Sequence, residues 1–92
     1  MTGDIRQPVI SGLPYPVTSC AGGEPAPLEA FLGDTEFTID LGGDPHVVRG
    51  HGTRLGEMVR FHEKDHIGGK DVRVWHVMLR DSGVVAEHIA AF

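Results

Sequence analysis

The sequence predicts a mainly β fold: a small antiparallel sheet or partly closed barrel of about five strands, with a β-rich α+β arrangement as the variant. Three observations carry that expectation. From residue 35 onward the hydrophobicity alternates with a period of two. Turn residues, Gly-Gly, Asp-Pro and Asp-Ser-Gly, punctuate the alternating runs. Five of the six prolines fall in the first 27 residues, ahead of the alternation. The organisation read from this is an extended Pro/Gly-rich arm over residues 1–26, then a single small β-rich domain over 27–92.

The arm comes first. Proline fixes φ and removes a hydrogen-bond donor, and glycine adds backbone freedom, so the stretch is denied a helix or a central strand. It is not hydrophilic, however. Ile5, Val9, Ile10, Leu13, Tyr15 and Val17 are scattered through it, and a purely solvated tail has no use for them. Leu13-Pro14-Tyr15-Pro16 reads as a polyproline-like or edge segment of the kind used in recognition. These six apolar residues are the expected partner-binding set, laid onto a neighbouring protein subunit of the same or another chain. The alternative is that the arm wraps its own body.

Pro27 stands where a helix can begin, with Leu28, Phe31 and Leu32 on one face and Gly33 as a stop, which predicts a short helical turn at about residues 27–32. Thr35 to Leu41 then places Phe37, Ile39 and Leu41 on one strand face, followed by a turn at Gly42-Gly43-Asp44-Pro45. His46 to Arg49 is a short strand closed by Gly50-His51-Gly52. Gly56 to His62 is a strand with Val59 and Phe61 inward, and Asp65 to Asp71 is a loop. Asp71 to Arg80 is a strand apolar on both faces, with Arg73, Trp75, Val77 and Leu79 on one side. Asp81-Ser82-Gly83 turns the chain into Val84–Ile89, a last strand or a short helix. The Leu55-Gly-Glu-x-Val-x-Phe61 phrase resembles strand entries in SH3-like and OB-like barrels, which implies that architecture.

Charge is unevenly spread over a chain of net charge -5. Residues 1–45 set Arg6 against seven Asp and Glu, whereas residues 46–92 carry seven Lys and Arg against six Asp and Glu, together with all six histidines. Such polarity suits contact between copies or with a protein partner. Nucleic acid is a disfavoured partner, because the chain is acidic and its few aromatics are needed for a core; in its favour stand seven Lys and Arg in the barrel-like part, with Arg60 and Arg73 able to share a surface. No run reaches the roughly 18 apolar residues of a membrane span, so no membrane partner is expected. The single cysteine, Cys20, allows no disulfide within the chain. No basic n-region and unbroken apolar segment of a secretion signal is visible, and the expected setting is cytoplasmic or a virion.

The sharpest chemical motif is His62-Glu63-Lys64-Asp65-His66, which fits the H-E-x-x-H pattern of zinc proteases. On a helix over residues 53–66, His62 and His66 would share a zinc ion and Glu63 would polarise its water. Gly56, Val59 and the following Gly68-Gly69 oppose such a helix. His76, on an apolar strand face, reads as a core histidine bonded to backbone. The expected function is therefore a non-enzymatic one without cofactor or metal: a small interaction or assembly protein, a subunit of a larger complex such as a virion connector, cement protein or accessory subunit. The alternative from another class is a small zinc-dependent hydrolase using His62, Glu63 and His66.

Overall fold

A computed structural model of the chain describes residues 12–20, 28–65 and 67–92. Six antiparallel strands close into a barrel in simple up-and-down order. They are β1 (Pro14–Cys20), β2 (Gly33–Leu41), β3 (Asp44–Leu55), β4 (Met58–Lys64), β5 (Asp71–Arg80) and β6 (Gly83–Ala91), with one 3-10 turn, η1 (Leu28–Phe31), between β1 and β2. The small β-barrel expected from the alternation is what forms. It has one strand more than expected, and it is fully closed.

The additional strand is β1, drawn from the segment whose prolines argued against regular structure. Pro14, Tyr15 and Pro16 pair with Glu87, Ala86 and Val85 of β6. Val17, Ser19 and Cys20 pair with Ile39, Thr38 and Phe37 of β2. The strand thus changes neighbour half-way along, and its two prolines lie where only β6 is paired. A missing donor is tolerable in such one-sided pairing, as it is on an edge strand.

β3 corrects the sequence reading in a second way. Gly50 and Gly52 do not end a strand after Arg49; β3 runs through both of them to Leu55. A Cβ on Gly50 would overlap the backbone carbonyl oxygen of His62, and one on Gly52 would overlap that of Phe31. These glycines mark close approach of two backbones, which in a strand is the other meaning of glycine besides termination.

The interior follows the period of two. Phe37, Ile39 and Leu41 of β2, Val59 and Phe61 of β4, and Trp75 and Val77 of β5 all point inward and are buried. The expected turn over 27–32 forms as η1, which plugs the lower end with Leu28 and Phe31. Phe31, Phe37 and Phe61 make two successive edge-to-face contacts, with centroids 5.4 and 4.9 Å apart. Each such contact adds about 0.5–1.5 kcal/mol beyond the area it buries. A small barrel filled in this way is a packed core rather than a container.

Candidate functional site: the upper mouth of the barrel

The strand directions bring four features to the end opposite η1. These are the start of β1, the Gly42–Gly43 turn, the 65–70 loop and the end of β6. Gly12 donates its N–H to the His88 carbonyl at 2.9 Å, and Phe92 donates to that of Val72 at 3.0 Å, so both described ends of the barrel chain are tied here.

On the β3, β4 and β5 side of this end, His46, Glu63 and Arg73 bring polar groups inward. Glu63 follows Val59 and Phe61 on the inner face of β4 and is 6% exposed. Trp75 Nε1 donates to its Oε1 at 2.9 Å, and Arg73 Nη1 lies 3.2 Å from both oxygens. His46 Nε2, from β3, lies 3.3 Å from Oε2. Burial raises the pKa of the Glu63 carboxyl, but the bonds from His46 and Trp75 and the Arg73 charge outweigh it and hold it below the ordinary carboxylate value. Trp75 also meets His88 and Tyr15 edge-on, at 5.2 and 6.1 Å.

Chemically this is a satisfied anion. A general acid needs its pKa raised toward the working pH; that of Glu63 moves the other way, and both of its oxygens are engaged. The cluster orients four side chains across β3, β4 and β5 and gives the mouth a fixed polar centre. Around that centre stand Leu13, Ile67, Ile89 and Phe92, four of the seven large hydrophobics exposed among the described residues. Ile67 and Phe92 are 84% and 78% exposed.

The residues singled out in the sequence separate as follows. Leu13 is on this rim; Tyr15 is half-buried beside Trp75, and Val17 is a core residue of β1, so neither is a loose contact residue of an arm. Ile5, Val9 and Ile10 lie outside the described residues. The helix required by the H-E-x-x-H reading does not form, because Met58–Lys64 is strand. Its alternation sends Glu63 inward and leaves His62 outside, where it bonds Asp71 at 3.2 Å. His66 lies outside the described residues. Among the described residues, no group of three or more His, Cys, Asp or Glu side chains is placed to hold a metal ion.

Arg60 and Arg73 do not share a surface: Arg60 is outside and Arg73 turns in to Glu63. His76 is likewise outside, receiving a long contact from Arg60 Nε at 3.4 Å. The buried histidine is His88, which the alternation of β6 could have found once that segment was taken as a strand. Among the described residues, no helix is long and apolar enough to cross a membrane. No known protein family, curated protein or solved structure matches this chain.

Proposed function

We propose that this protein is a small interaction protein, a subunit of a larger assembly, that docks onto a neighbouring protein subunit through the upper mouth of its barrel. A virion connector, a cement protein or an accessory subunit is the concrete form of this reading. The observation that supports it is the gathering of Leu13, Ile67, Ile89 and Phe92 around one end. Single exposed apolar residues are ordinary on any protein, but several drawn to one rim around a polar centre have the composition of a contact surface. The apolar N-terminal residues Ile5, Val9 and Ile10 precede Gly12, which is bonded at the same mouth, so arm and rim would serve one contact.

The test is the size of the native assembly. The chain, tagged and purified gently from its own source, is expected to elute well above the size of one chain. At high salt, where contacts between exposed charges are screened, an Ile67→Asp/Phe92→Asp variant is expected to elute as a folded single barrel, with its melting transition kept. Elution of the unaltered chain as a monomer, or a variant that stays in the assembly, overturns the reading.

A further inference from the structure

Closure of the barrel sorts charge in a way the linear sequence only suggests. Every lysine and arginine that lies in a strand belongs to β3, β4 or β5; β6, β1 and β2 carry none. These two sets are each contiguous around the barrel, because β6 pairs with β1 and β1 with β2. One half of the wall therefore has Asp34, Glu36, Asp40 and Glu87 as its only formally charged strand residues, with Asp44 at its margin. The other half turns Arg49, Arg60, Lys64 and Arg80 outward, with His51, His62 and His76 among them and one exposed carboxylate, Asp71, which bonds His62 and Lys64.

The two seams between the halves are stitched by opposite groups. Across β2 and β3, Arg49 Nε donates to Glu36 at 2.9 Å, and His51 Nδ1 meets Asp34 at 2.8 Å. Across β5 and β6, His76 stands opposite Glu87. These seam pairs are largely exposed and contribute little to stability, about 0–1 kcal/mol each. They account for the seams and leave carboxylates alone on one half-wall and an excess of cations on the other, where Asp71 offsets Lys64.

We infer that the charged half-walls form a second, lateral docking surface whose occupant is another copy of this chain, the acidic β6-β1-β2 wall of one copy meeting the basic β3-β4-β5 wall of the next. The argument is charge complementarity: the molecule carries both members of the pair, on opposite sides of one barrel. A contact between two different patches is heterologous, so it leaves a free wall at each end and propagates into rings or open chains. The surface is separate from the upper mouth, so this inference and the proposed function fail independently.

The experiment follows association of the purified full chain by sedimentation. Between about 0.01 M and about 1 M salt the Debye length falls from roughly 30 Å to roughly 3 Å. Self-association is expected to weaken roughly tenfold or more across that range. Asp34→Lys/Glu87→Lys and Arg60→Glu/Arg80→Glu, each checked for a native melt, are expected to be monomeric alone. An equimolar mixture of the two is expected to associate again, because each then presents what the other lacks. An Ile67→Asp/Phe92→Asp chain keeps the salt-sensitive association. The inference is overturned by a wild-type chain that is monomeric at low salt, or by association indifferent to salt. It is equally overturned by a mixture that stays monomeric, or by association that disappears with the mouth variant.

Discussion

Inside the barrel the indole N–H of Trp75 donates to Oε1 of Glu63 at 2.9 Å, joining the largest fully buried side chain to the one carboxylate buried among the described residues. The bond spans the boundary between the apolar layers below and the polar centre of the mouth above. Trp75→Phe keeps an aromatic ring, opens part of the indole volume and leaves Oε1 short of a donor. The expected cost is about 2–4 kcal/mol in urea unfolding. A double-mutant cycle with Glu63→Gln should show a coupling of about 1 kcal/mol or more; additive losses would mean that the bond contributes nothing.

Stability is expected to decline on the acid side in two stages. Burial lowers the pKa of His76, the Arg60 charge adds to this, and Glu87 opposes it. Burial likewise lowers that of His88, with Arg73 adding and Glu63 and the Ala90 backbone opposing. In the unfolded chain these histidines return to about 6.5 and take protons first. Stability is then full above about pH 6.5 and is lost as pH falls through the folded values.

Glu63, also depressed, gives stability that is present above its unfolded value of about 4.3 and lost as pH falls through its folded one. Thermal melts should show a plateau near neutrality, a first decline below about 6.5 and a second below about 4.3. Glu63→Gln shrinks the second stage and leaves the part due to Asp71, whose carboxyl the bond from Lys64 holds below its ordinary value. A melting temperature that rises between neutrality and pH 5.5 would contradict this.

Replacing a strand glycine by alanine ordinarily helps, because glycine has more freedom to lose. Gly50→Ala and Gly52→Ala should do the reverse, each losing about 2–4 kcal/mol, since the new methyl meets a backbone carbonyl that cannot step aside. Gly56→Ala is the comparison: its φ of 63° strains any side chain, but there is open space around it. Its cost should be nearer about 1 kcal/mol. Chemical denaturation of the three variants ranks them.

Truncation separates arm from barrel at a different residue from the one the composition suggests. Deleting residues 1–26 removes β1 and leaves β2 and β6 each with one unpaired edge. The expected product lacks a cooperative melt and aggregates through the exposed edges. Deleting residues 1–11 stops short of Gly12 and should leave the melt in place. A cooperative transition in the longer deletion would show that β1 is dispensable for folding.

What could be read in advance followed the local physics. Phe37, Ile39 and Leu41 declare β2 because a half-buried strand writes its two faces into alternate residues, and Leu28 and Phe31 declare η1 through their spacing after Pro27. The errors arose where the deciding partner is far away in sequence. Nothing near Gly50 says that the His62 carbonyl will press against it. Nothing near Pro14 says that β6 will pair on one side only. The same holds at the mouth: His62-Glu63 read as a motif while the segment was open to either period, and the strand then divided the pair between inside and outside. Glu63 acquires its meaning from Trp75, Arg73 and His46, which lie on other strands.

The change of neighbour along β1 bears on how the molecule is made. The pairing of Pro14 with Glu87 joins β1 to β6, the first strand to the last, so it is the strand pairing of greatest sequence separation and the one whose loop entropy weighs most. The hairpins from β2 to β6 need only their own turns. The barrel is therefore expected to exist first as an open five-stranded sheet with both margins bare, waiting for a seven-residue strip to close it. That strip is tethered through the short segment before η1, and an identical strip from a nearby nascent chain fits the same gap. Crowded synthesis thus sets intramolecular closure in competition with exchange of β1 between chains.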